Sequence, residues 1–167
     1  MSKLEEPHFD LLDPKYDFVL NPYPDARLTK CPLCERRTGQ RKLPLLIHVE
    51  PENLIALNYT CRYCKDCDTL FAHKDQVEHM LTEMFRRRNP DVIGNDYMIF
   101  GTVERKAWEE GMREPKPSYE VLAHTHMFKS YSELRMSQEG WFPKDTEPPT
   151  REPPPSDEWV KQKKKGR

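Results

Sequence analysis

Five cysteines carry most of the reactive chemistry of this chain. Two pairs have the CxxC spacing: Cys31 with Cys34, and Cys64 with Cys67. A CxxC pair sets two thiolates on one tight turn, close enough to grip one cation, and two such turns supply the four sulfurs of a tetrahedral zinc site. The fifth cysteine, Cys61, precedes Cys64 by the same spacing, so Cys61 with Cys64 is an alternative ligand pair. The pair Cys64 and Cys67 is preferred: Lys65-Asp66 suits a turn, and Tyr63 suits the strand before it. Cys61 is then a buried thiol. His73, six residues past Cys67, is a further alternative ligand, although four cysteines already complete the shell. Four thiolates leave no open position for water, so the site reads as structural rather than catalytic. Redox use of CxxC requires a helix opening after a strand, and Glu35-Arg36-Arg37-Thr38-Gly39 is a poor start for one. Zinc is preferred to iron as the cofactor of a mononuclear four-sulfur site.

The elements that must hold these residues follow from the flanking pattern. After the first cysteine turn, residues 43–49 read as a strand, and Glu50-Pro51-Glu52-Asn53 as a turn. Residues 54–60 read as the returning strand, because Ile55, Leu57 and Tyr59 alternate with Ala56, Asn58 and Thr60. The order is knuckle, hairpin, knuckle. Over residues 29–70 it resembles the zinc ribbon, with Cys31, Cys34, Cys64 and Cys67 at the ligand positions. That resemblance implies a β-hairpin clamped by metal, and it implies no particular activity, since ribbons serve in transcription factors, ribosomal proteins, enzymes and interaction modules.

Beyond the ribbon, residues 73–88 predict a helix with Val77, Met80, Leu81, Met84 and Phe85 on one face, ended by Asn89-Pro90. Residues 97–103 predict a buried strand, and 104–111 a short helix with Trp108 turned inward. Residues 119–136 are ambiguous, with helix favoured. Residues 1–28 predict an irregular arm that packs on the domain, residues 29–143 the ribbon-containing α+β domain, and residues 144–167 a disordered Pro/Lys-rich tail with Trp159 as its one large anchor.

The bulk composition narrows the class. The chain has 167 residues, 36% hydrophobic and 33% charged, with sixteen prolines against six glycines. Its mean hydropathy is -0.92. This favours a small core in irregular surroundings, for which a structural metal is a common remedy. The net charge of -1 lacks the basic excess of a dedicated nucleic-acid binder. No apolar stretch reaches membrane-spanning length, and the first residues lack the apolar run of a signal peptide. The expectation is a cytoplasmic protein with reduced thiols and no membrane partner.

Three functions are compared. The first is a non-enzymatic zinc module that engages a protein partner. The second is a nucleic-acid binder, which requires Arg36, Arg37, Arg41 and the run Arg86-Arg87-Arg88 on one face. The third is an enzyme, or enzyme subunit, with a structural zinc and an active site around Asp96, His124 and His126, which requires those groups to converge. His124-Thr125-His126 lacks a third metal ligand nearby in sequence, and both are read as ordinary histidines. No phosphate loop, nucleophile elbow or dinucleotide fingerprint occurs.

Overall fold

A computed structural model describes residues 12–154 and Trp159. Its centre is one seven-stranded sheet: β1 (Asp17–Asn21), β2 (Gly39–Val49), β3 (Asn53–Cys64), β4 (Thr69–His73), β5 (Tyr97–Val103), β6 (Thr125–Met127) and β7 (Ser130–Glu133). The strand order is β6-β5-β2-β3-β4-β1-β7. β1 runs parallel to both of its neighbours, and every other pairing is antiparallel. The two outermost strands, β6 and β7, are successive pieces of one segment. Between them, Phe128 donates its N–H to Phe100 O (2.9 Å) and Lys129 to Tyr16 O (2.7 Å). The sheet therefore curls until one bent segment borders both of its ends, which removes most of the open edge a flat sheet would present.

Among the described residues, three α-helices complete the α+β fold: α1 (Lys74–Arg88), α2 (Arg105–Arg113) and α3 (Ser118–Ala123). α1 buries Val77, Leu81 and Phe85, the stripe its 3.6-residue periodicity requires, in a core shared with Phe18, Leu45, Ile47, Leu70 and Ile99. A 3₁₀ turn, Pro90–Val92, follows where Pro90 cannot continue the helix. α1 also buries Glu78, whose Oε2 accepts from Tyr97 Oη at 2.7 Å and lies 3.7 Å from Lys74 Nζ.

The hairpin, α1 and β5 form where the sequence places them, while three regions differ from expectation. Residues 17–21 are no irregular arm but a strand inside the sheet, between β4 and β7. Phe18-Val19-Leu20 alternates between the two sides of the sheet, and the preceding proline-rich composition hides that pattern. β4, five residues, is also a strand that sequence periodicity does not show, since four of its residues are buried. Residues 119–136, expected as mostly helix, are helical only over 119–123, in α3, before β6 and β7. Here the hydrogen-bonding edges of β5 and β1 decide, overriding local propensity.

Within the segment read as a tail, Arg151 forms a two-pronged ion pair with Asp25 (3.0 and 3.1 Å), and its carbonyl accepts from Tyr23 Oη at 2.8 Å. Trp159 is buried against Phe85 and Tyr97 and donates to Asn95 O at 2.8 Å. Trp141, by contrast, is 86% exposed. The basic terminus 161–167 and the first eleven residues lie outside the described residues.

Candidate metal centre

The hairpin of β2 and β3 ends, at its open side, in the two cysteine turns. Its strands pair from Gly39↔Tyr63 to Val49↔Asn53 without interruption. The turn at 31–34 precedes β2, and the turn at 64–67 joins β3 to β4. A bridge between Lys30 and Arg37 closes the first turn.

The two turns repeat one geometry. In the first, the N–H of Leu33 points at Cys31 Sγ (3.3 Å), and Glu35 N–H donates to Cys31 O at 2.7 Å. In the second, the backbone N–H groups of Cys67 and Asp66 favour the Cys64 thiolate. The residue after each second cysteine is left-handed: Glu35 at φ 65° and Asp68 at φ 54°. Both are non-glycine residues in a region that favours glycine. The strain is held in place at matching positions, which marks the two turns as a matched pair.

This duplication brings four sulfurs together. The Sγ atoms of Cys31, Cys34, Cys64 and Cys67 all lie within 4.8 Å of one another. Two approaches cross between turns: Cys34 to Cys64 at 3.6 Å, and Cys31 to Cys67 at 4.0 Å. Four sulfurs at about 2.3 Å from one tetrahedral ion stand about 3.8 Å apart, so these two separations bracket the value a metal requires. A disulfide would need about 2.05 Å, and all five cysteines are free. Arg36 and Asp66 reach across the two turns, 3.6 Å apart.

The electrostatics of the cluster fit a cation. Burial pushes the Cys31 thiol up, against the N–H donors aimed at it. Burial and the neighbouring thiols push Cys67 up to about 12. Burial acts on Cys64 as well, but there the N–H groups of Cys67 and Asp66 and the thiols of Cys34 and Cys31 outweigh it and hold the thiol below its usual range. Four such groups cannot all ionise side by side unaided, whereas a divalent ion at their centre removes the repulsion and releases the protons.

Cys61 is not in the cluster. It is fully buried in the large core beside Leu57, Tyr59 and Leu70, and burial raises its pKa to about 12. Strand parity separates it from the four clustered sulfurs. Cys61 and Cys64 stand three residues apart on β3, and so face opposite sides of the sheet. The neighbouring strands show the same division: Leu70 and Ala72 join the large core, and Phe71 packs with Cys31 and Cys64. His73 is likewise elsewhere, its Nδ1 3.1 Å from Asn21 Nδ2.

The alternative site residues separate. Asp96 precedes β5, while His124 and His126 gather at the far end of that strand around Glu104, which follows it. His124 Nδ1 is 3.2 Å from Glu104 Oε1, and His126 Nε2 is 3.8 Å from Glu104 Oε2. Glu104 is the third partner that the sequence spacing of the two histidines did not reveal. Among the described residues, the four cysteines are nonetheless the one group placed to hold a metal. The two basic clusters also stay apart. Arg88 borders the half of β3 nearest the hairpin turn, beside 54–58, whereas Arg36 and Arg37 sit at the cysteine end. About 3.3 Å per residue separates them along that strand.

No family description, curated protein or solved structure matches this chain. No helix among the described residues is long and apolar enough to cross a membrane.

Proposed function

We propose that Cys31, Cys34, Cys64 and Cys67 hold one structural zinc ion in a ribbon-like module, and that the protein is a non-enzymatic interaction module acting on a protein partner in the reducing cytoplasm. The observation that carries the metal reading is the four-sulfur cluster, built by two turns of matching geometry. The donor set favours zinc, since four thiolates and no oxygen donors suit a tetrahedral soft-ligand site. The closed shell supports a structural role, because no position remains for water or substrate. The interaction role is supported by what the fold leaves on its surface: an apolar groove beside β3, and a cysteine end that exposes Leu33 at 62%. Separation of Arg86-Arg87-Arg88 from Arg36 and Arg37 disfavours the nucleic-acid reading, which needed one continuous basic face.

Native mass spectrometry tests the metal. One zinc per chain is expected in the wild type and in Cys61→Ala, and its loss in serine variants of the other four cysteines. Retention of zinc in any of those four, or its absence from the wild type, overturns the assignment.

A further inference from the structure

β3 is paired unequally on its two sides. β2 covers it from Asn53 to Tyr63, whereas β4 covers only Arg62, Tyr63 and Cys64. From 53 to 61 its second edge has no strand beside it among the described residues. A groove of about 670 Å³ runs along this edge, with five consecutive residues, 54–58, at its floor. Both parities border one space at a strand's edge, where a face would offer only every second residue. The two helices stand on opposite faces of the strand. Met80 and Met84 of α1 pack against the large core with Leu57 and Tyr59, whereas α2 reaches the other parity, Arg105 donating to Asn58 Oδ1 at 3.2 Å. Met80 and Met84 therefore wall the groove on one side, and Trp108 and Met112 on the other. Along the floor, every second residue of an edge strand turns its N–H and C=O outward, so one extended segment fits here as an added strand. The unbranched methionines adapt to apolar side chains of differing shape.

Charge sets the direction of that segment. α1 runs against β3: near its start Gln76 accepts from Tyr59 Oη (2.7 Å), and just past its end Asn95 Nδ2 donates to Glu50 O at the hairpin turn (2.9 Å). Arg88, which borders the groove, thus stands beside the first residues of β3. Arg86 is paired with Glu83 at 2.8 Å, while Arg87 and Arg88 are exposed and have no acidic partner among the described residues. The acids of the lining, Glu110 and Glu120, belong to α2 and α3, across the groove from α1, and the lining's Lys116 is 3.9 Å from Glu114. Positive charge is left unmatched at the Arg88 end, where an acidic group on the occupant complements it. We propose that the groove binds an extended segment of a partner protein, added antiparallel to β3, with alternate apolar side chains against the two walls and a carboxylate near its C-terminal end on Arg88. The antiparallel direction is the more stable per residue and brings that end to Arg88. The assignment rests on the proposal that the protein is an interaction module, and supplies that module with a site and a partner chemistry.

The test presents the full chain with random heptapeptides displayed through their C-termini, so that every carboxylate selected comes from a side chain. Enriched sequences are expected to be apolar at alternate positions and to carry Asp or Glu among the last two. Enrichment without that pattern, or none at all, overturns the proposal. The leading sequence is then made as a fluorescein-labelled, C-terminally amidated peptide and titrated by fluorescence anisotropy. Arg88→Glu is expected to weaken binding by about tenfold or more, and a peptide with Lys in place of its acid to recover the loss in that variant. N-methylation of the peptide's alternate amides is expected to abolish binding, since it removes the ladder. Binding indifferent to N-methylation overturns strand addition. Binding unchanged in both Arg88→Glu and Met84→Asp overturns the groove while leaving the interaction-module reading in place, with its surface elsewhere on the molecule. Zinc content measured on the same samples keeps these outcomes separate from that of the metal assignment.

Discussion

Glu35 and Asp68 belong with the candidate site, because each follows the second cysteine of its pair and each is held in the left-handed region. A side chain in that region costs about 1 kcal/mol or more, and a β-branched one is hardly tolerated. Glu35→Gly is therefore expected to bind zinc with wild-type stoichiometry and a melting temperature equal or higher, and Glu35→Val to melt lower and bind more weakly; competition with a zinc chelator and thermal melting read both. Asp68 suits the same exchange less well, since its carboxylate accepts from Tyr63 Oη at 2.8 Å. Cys61 makes a different prediction. Its folded-state pKa is raised from 9.0 to about 12, so the folded protein keeps a proton that the unfolded chain loses. Its contribution to stability is complete below about pH 9 and is lost as pH rises from about 9 to 12. Denaturant melts across that range are expected to fall less steeply for Cys61→Ala than for the wild type. Equal slopes would show that this thiol is not the titrating group. At this scale the sequence was informative about which four cysteines cluster, because paired CxxC spacing sets two sulfurs on each of two turns. It was silent on the left-handed residues, because Glu and Asp give no sign of a positive φ.

The elements that hold the site were legible where periodicity survives in the sequence, and hidden where packing replaces it. β2, β3, α1 and β5 each show an alternation or an apolar stripe. β4 shows none, since both of its faces are buried, and β1 is disguised by the prolines around it. β6 and β7 are too short to show a period and exist because β5 and β1 offer them edges. Gly101 is the point at which this dependence is most exposed. Any Cβ there would strike backbone: the carbonyl of His126 and, at 2.8 Å, Cα of Met127. Backbone in a ladder cannot move aside as a flexible side chain can, so Gly101→Ala must separate β5 from β6. The expected loss is about 1–3 kcal/mol or more. Amide exchange would localise it to Thr125–Met127, with Ile99 and the β2 side of β5 still protected. A variant as stable as the wild type would mean that β6 does not hold this register.

Taken as a whole, the molecule is less dependent on its candidate metal than a free-standing ribbon would be. Composition suggested a small core in need of a staple, yet the buried residues form two clusters of unequal size. The larger gathers Phe18, Leu45, Ile47, Leu70, Val77, Leu81 and Ile99, together with Cys61, and contains none of the four clustered cysteines. The smaller holds Cys31 and Cys64 with Val19, Leu28 and Phe71. The same strands, β1 and β4, contribute to both through their alternate residues, so the sheet divides the two clusters as well as joining them. A free ribbon has only the second kind of core and unfolds when its metal is removed, because the binding energy is its folding energy. Here the apolar burial shared by the curled sheet and α1 involves none of the four clustered cysteines. Chelation is thus expected to leave one cooperative thermal transition and most of the far-ultraviolet circular dichroism. Amide protection is expected to fall by about tenfold or more at 28–38 and 64–69, while β5 and α1 change little. If chelation instead abolished the transition, the two clusters would be one cooperative unit, and the metal would hold the whole sheet closed rather than one end of it.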